Sequence, residues 1–172
     1  TQEEQDAKKE RRECIDLALK TYGDSIYNNS DAKGKLNAEV IWVSPDLIRV
    51  YFLQGTTLNV VPFGNDYSVD INRNKDVVGF RRYHHSYIPL PIDVDGERVK
   101  AMFHSHTSDN PYITATDICN SLLYARDFFG MSTHSILSTA FEKRILQIFD
   151  MQNITLQFVD YDEFLKTKET QQ

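Results

Sequence analysis

One stretch, FHSHTSDNPYITATD from Phe103 to Asp117, constrains the fold of this chain more than any other. It joins the end of a strand to the start of a helix. The turn signal Asp95-Gly96 precedes it, and Glu97 to Phe103 rises from that turn as a strand. Thr114-Ala-Thr-Asp117 fits a capping box, with Thr114 as N-cap and Asp117 at the third helical position. A helix then runs from Thr114 to Phe129. Ile118, Leu122, Ala125 and Phe129 mark its expected buried face, and Gly130 stops it. Side chains two apart on a strand point the same way, so His104 and His106 emerge together. Val99, Ala101 and Phe103 are then expected on the opposite face, packed into the core.

The rest of the chain surrounds this stretch with strands. Gln2 to Glu13 is mostly charged and is expected to fray at its start. A helical pattern appears from Arg11, with Ile15, Ala18, Leu19 and Tyr22 at i, i+3, i+4 and i+7, and Gly23 ends it. Asp24 to Asn37 is rich in Asn, Ser, Asp and Gly and reads as a loop. Glu39 to Val43 and Leu47 to Leu53 are β-branched and aromatic, and Ser44, Pro45 and Asp46 between them predict a hairpin. Further strands are expected at Leu58 to Val61, Val77 to Tyr83, Ser135 to Ser138, Arg144 to Phe149 and Ile154 to Val159. Pro89 and Pro91 make Tyr87 to Pro91 an edge or a loop. Tyr161 to Lys166 reads as a short terminal helix. The order predicts an α+β protein: one α+β or αβα-layered domain around a mixed sheet. Residues 1–10 read as a charged extension, 11–166 as the domain and 167–172 as a tail.

Composition narrows the function classes. The 172 residues suffice for a core without disulfide or metal staples. Lys and Arg number 19 against 25 Asp and Glu, a net charge of −6, and this acidity disfavours nucleic acid as a partner. No apolar run is long enough to predict a membrane span. Cys14 and Cys119 form no CxxC pair, which excludes a Cys-rich zinc module. The chain begins at Thr1, which fits either removal of an export signal or a segment cut from a longer chain, so the compartment stays open. Oligomeric state is equally open.

Two neutral imidazoles and a carboxylate at one point suit zinc. His104, His106 and Asp117 would hold it with one position left for water, the arrangement of a catalytic rather than a closed structural site. A bland alternative stands beside this one. Capping alone accounts for Thr114 and Asp117, and most HxH pairs are surface residues or strand ends. The two readings are compatible, because a helix N-terminus can hold the Asp in place.

FHSHTSDNPYITATD resembles the JAMM (MPN+) metalloprotease signature, in which HxHP is followed seven residues after the second His by Ser-x-x-Asp. The resemblance implies His104, His106 and Asp117 as zinc ligands, with Thr114 at the position of the serine whose hydroxyl steadies the oxyanion. It implies the layered MPN architecture of a mixed, curved β-sheet flanked by helices, related to that of cytidine deaminases, and a protein or peptide substrate cut at a peptide or isopeptide bond. The long first loop looks more like bacterial JAB-type domains, including those attached to polymorphic toxins. The family also requires an upstream Glu as general base and acid. Of the six glutamates before the motif, Glu39 opens the first strand of the hairpin, the place this role has in the family. Two positions depart from the pattern: Thr107 replaces the usual Pro, and Trp42 stands where Gly often follows the Glu. A non-catalytic scaffold of the same fold and a toxin-associated domain with a non-amide substrate are the alternatives. Among other residues, His84 and His85 read as a solvated strand end, His134 as a satisfied structural histidine and Cys119 as core.

Overall fold

A computed structural model describes residues 1–27, 36–56 and 58–169. The chain is α+β, and it divides into two compact units. The first comprises Thr1–Leu58 and Pro62–Ile88; the second comprises Asn59–Val61 and Pro89–Gln172.

In the first unit, helix α1 (Gln2–Tyr27) packs on an antiparallel sheet in the order β1-β2-β4-β5. The strands are β1 (Leu36–Ser44), β2 (Leu47–Gln54), β4 (Tyr67–Asn72) and β5 (Val77–Arg82). The predicted hairpin is present, with Glu39 opposite Tyr51 and Trp42 opposite Ile48. Alternation along β2 turns Ile48, Val50 and Phe52 inward, where they meet Tyr67, Val69 and Ile71 of β4 and Cys14, Ala18 and Ile26 of α1. Each fully buried Ile, Val or Phe contributes about 1.5–3 kcal/mol. Strand β4 lies between β2 and β5 and was not among the strands expected from the sequence. Asp70 is tolerated there because Arg49, opposite it on β2, donates two hydrogen bonds to its carboxylate at 2.6 and 2.8 Å.

The α1 boundaries differ from expectation at both ends. The helix begins at Gln2 rather than fraying, and it runs through Gly23 to Tyr27. Ile26 supplies the reason, since continuing past Gly23 places that side chain fully inside the core. The predicted loop thus shrinks from its start, its end belongs to β1, and its middle, 28–35, lies outside the described residues.

Strands β3 (Val60–Gly64) and β6 (Tyr87–Pro91) carry the chain from one unit to the other. Gly64 has φ +81°, and a Cβ there would sit 1.8 Å from the Ser86 carbonyl oxygen. Only glycine fits this turn.

The second unit is built on a mixed sheet in the order β12-β11-β10-β9. The strands are β9 (Ala101–His106), β10 (Thr133–Ser138), β11 (Ile145–Asp150) and β12 (Thr155–Asp160). β9 and β10 are parallel, and the other pairs are antiparallel. A small ribbon, β7 (Asp93–Val94) and β8 (Glu97–Arg98), interrupts the strand expected to run from Glu97. Helix α2 (Ala115–Asn120) continues as a π-helical turn over Ser121–Arg126, and α3 (Tyr161–Glu169) closes the chain. Gly130, at φ +68°, ends the helical hydrogen bonding as predicted.

Candidate metal centre

Strand β9 alternates cleanly, but the buried face is the opposite of the one expected. Met102, His104 and His106 point inward, whereas Ala101 is exposed and Phe103 is 51% exposed. Val99 lies before the strand. Helix α2 departs from expectation only in part: Thr116, Asp117 and Asn120 are buried, followed by Ser121 and, as expected, Ala125 in the π-turn. Ile118 and Leu122 are only half-buried. Hydrogen bonds among the polar side chains of this interior lower the cost of burying them.

The helix start is the predicted capping box. Thr114 Oγ1 accepts from the Asp117 backbone N–H at 3.2 Å, and the Asp117 carboxylate accepts from the Thr114 N–H at 2.8 Å. Thr114 also donates its hydroxyl to Asp117 Oδ2 at 2.7 Å, and its oxygen lies 2.8 Å from Thr116 Oγ1. Capping therefore fixes the rotamer of a fully buried carboxylate. Oδ1 lies 3.5 Å from His104 Nε2, and Oδ2 lies 3.5 Å from His106 Nε2. The two Nε2 atoms are 2.9 Å apart.

The loop between the histidines and the helix is held as firmly. Gln147, fully buried on β11, accepts from the Ile113 N–H and donates to the Pro111 carbonyl, both at 2.8 Å. This clamp presents the Tyr112 carbonyl to His106 Nδ1 at 2.9 Å. A carbonyl only accepts, so Nδ1 carries the hydrogen and a neutral His106 turns a lone pair outward on Nε2. The Thr139 backbone N–H and hydroxyl both donate to the His106 carbonyl at 3.1 Å, which anchors the strand end.

These residues fit a metal ion. Zinc bound at about 2.0–2.2 Å in a tetrahedron needs ligand atoms roughly 3.3 Å apart. The two Nε2 atoms are 2.9 Å apart, and each stands 3.5 Å from a different oxygen of Asp117, His104 from Oδ1 and His106 from Oδ2, all near that value. The donor set, two imidazoles and one carboxylate, is the type found in catalytic zinc sites and also suits iron or copper. His104, His106 and Asp117 can thus hold a metal ion whose identity the geometry leaves open.

His134 is buried and hydrogen-bonded, as expected of a satisfied structural histidine, but its contact with His104 and the parts played by Ser121 and Gln147 were not recognised from the sequence. His134 Nε2 lies 2.9 Å from His104 Nδ1, and Ser121 Oγ lies 2.7 Å from His134 Nδ1. Ser121 was accessible to helical spacing, being one turn beyond Asp117. Gln147 carried no such signal, because it arrives from a distant strand.

The remaining candidates lie in the first unit. Glu39 sits on β1 with its side chain 59% exposed, its Oε2 3.3 Å from an Arg11 guanidinium nitrogen. Trp42 is exposed on the same strand. His84 is not a solvated strand end. It is buried, with Nδ1 at 2.8 and 3.1 Å from the two oxygens of the fully buried Asp66. Arg82 accounts for this turn, donating to the carbonyls of His84 and His85 at 3.0 and 2.7 Å. His85 is exposed as expected.

Fold and site together define an α+β protein with a buried His/His/Asp cluster at a strand-to-helix junction, able to hold a metal ion. No family model matches the chain, and no curated protein or solved structure is significantly similar to it. No helix among the described residues is long and apolar enough to cross a membrane.

Proposed function

We propose that this chain is a zinc-dependent hydrolase of the JAMM type, cleaving a peptide or isopeptide bond. One observation carries the reading. Two imidazole Nε2 atoms and both oxygens of one carboxylate converge inside the protein at separations a zinc ion can span. His104, His106 and Asp117 would hold the ion. When bound, zinc supplies Lewis acidity and brings the pKa of its water down to about 7. Glu39 takes a proton from the attacking water and returns it to the leaving amine. For this, its ion pair with Arg11 opens. Thr114 turns its hydroxyl hydrogen from Asp117 toward the oxyanion, while its oxygen still caps the helix by accepting from the Asp117 N–H.

The engagement of both proposed catalytic groups favours a second reading, a metal-bound scaffold without hydrolytic activity. A toxin-associated domain acting on a non-amide substrate is a variant of the first. Elemental analysis and peptidase and isopeptidase assays on His104→Ala and Glu39→Gln separate them. The hydrolase requires about one zinc per wild-type chain, loss of zinc and activity in His104→Ala, and retained zinc with lost activity in Glu39→Gln. Zinc without activity in the wild type supports the scaffold. Absence of zinc even after its addition removes the hydrolase and the metal-bound scaffold and favours a scaffold that needs no metal. Full activity in Glu39→Gln removes Glu39 from its role.

A further inference from the structure

His134 is fully buried on β10, and both of its ring nitrogens are engaged. β9 and β10 run parallel with His134 opposite Met102 and Ile136 opposite His104, so the inward faces of the two strands coincide. The His134 ring thus reaches His104 from behind, on the side away from Asp117. A continuous line of contacts results: Ser121 Oγ, His134, His104, His106 and the Tyr112 carbonyl, with links of 2.7, 2.9, 2.9 and 2.9 Å.

The two ends of this line differ chemically. At Tyr112 an acceptor-only carbonyl places the His106 hydrogen on Nδ1. At Ser121 a hydroxyl can either donate or accept, so it permits both polarities. Neutral His104 and His106 face one another through Nε2 atoms only 2.9 Å apart, and two lone pairs at that distance repel. Something positive belongs between them, either a hydrogen on His104 Nε2 or a metal ion. With the hydrogen there, His104 Nδ1 accepts from His134 Nε2–H, and Ser121 donates to His134 Nδ1. With the ion there, His104 carries its hydrogen on Nδ1 and donates it to His134 Nε2. His134 then carries its own on Nδ1 and donates to Ser121.

We propose that His134, backed by Ser121, is the positioning residue for His104. It holds the ring with its Nε2 lone pair aimed at the metal, and its tautomer follows the occupancy of the site. This rests on the metal reading above. Both rings are neutral in either arrangement. Metal binding takes the proton off His104 Nε2 and moves one proton across each hydrogen bond, from His134 to His104 and from Ser121 to His134. The departing proton and the one regained by the Ser121 hydroxyl are exchanged with water, so the count is unchanged. Partners that orient a metal-ligating histidine in this way are typically worth about 10–100-fold in metal affinity.

The test uses the full chain. Zinc affinity is measured by competition with a chromophoric chelator for wild type, His134→Phe and His134→Gln. Long-range proton–nitrogen NMR reads the ring tautomers of the wild type with and without one equivalent of zinc. Expected are an affinity about 10–100-fold weaker in His134→Phe and recovery to within about threefold in His134→Gln, whose amide both accepts and donates. Zinc-loaded wild type should have His104 and His134 both in the Nδ1–H form, and zinc-free wild type both in the Nε2–H form. A His134 that keeps its hydrogen on Nε2 in the zinc-loaded protein overturns the proposal. So does a His134→Phe protein within about threefold of wild type. Should His134→Phe not fold, the wild-type spectra and His134→Gln decide. Wild type that takes up no zinc overturns the metal reading as well, whereas zinc uptake indifferent to residue 134 overturns this proposal alone.

Discussion

Asp117→Asn separates metal binding from folding more cleanly than any other single change at the site. The substitution keeps the volume of a fully buried side chain. The amide oxygen can still accept from the Thr114 N–H and hydroxyl, which now lie 2.8 and 2.7 Å from Oδ2. The amide nitrogen then takes the place of Oδ1, 3.5 Å from His104 Nε2. Volume and both bonds to Thr114 are kept, so metal-free stability falls by about 1 kcal/mol, the worth of one hydrogen bond. The negative charge that an ion needs is gone, and with it one of three ligands. Zinc at one hundred times its dissociation constant stabilises a protein by about 2.7 kcal/mol. For a chain of this size each kcal/mol raises the melting temperature by about 2–4 °C, so wild type shifts by roughly 5–11 °C. Asp117→Asn should shift by less than about 2 °C at the same zinc concentration, which corresponds to an affinity at least about 100-fold weaker. Calorimetry with and without zinc, against a chelator control, provides the measurement. An Asp117→Asn protein stabilised by zinc as much as wild type would falsify the assignment of the carboxylate as a ligand.

Two further outcomes concern the first unit. Gly64→Ala places a Cβ within 1.8 Å of a backbone carbonyl oxygen at φ +81°, so we expect a loss of more than about 2 kcal/mol in urea unfolding; a loss below about 0.5 kcal/mol refutes the close approach. Burial is the largest influence on the Cys14 thiol and pushes its pKa up, against the lowering effect of Lys75. Less thiolate and no exposure should leave Cys14 unalkylated in native protein at pH 8, with modification tracking unfolding; rapid native-state labelling refutes its place in the core.

The candidate site was legible where its geometry is local. A strand places residues two apart on one side, which joined His104 to His106. A capping box ties an N-cap to the third helical residue, which joined Thr114 to Asp117 and oriented the carboxylate. The hairpin β1–β2 was likewise readable, because its turn and both its strands are contiguous. Less accessible was β4, whose Asp70 is accommodated in the sheet only by Arg49 opposite it, twenty-one residues away in the chain. His84 was misjudged for a similar reason: eighteen residues separate it from Asp66, the carboxylate that makes its burial tolerable.

Sequence alone determined that two imidazoles share a face and that a carboxylate stands at a helix start, since both follow from backbone periodicity within a few residues. Tertiary structure decided which face of β9 turns inward. Phe103 looked like core by hydrophobicity, yet Met102, His104 and His106 are the buried ones. A polar side chain can be interior only when partners meet its hydrogen bonds. Here His104 meets His134, which Ser121 backs, and His106 meets the Tyr112 carbonyl in a loop that Gln147 holds from another strand. No local pattern encodes such meetings, because they depend on which distant surfaces pack together.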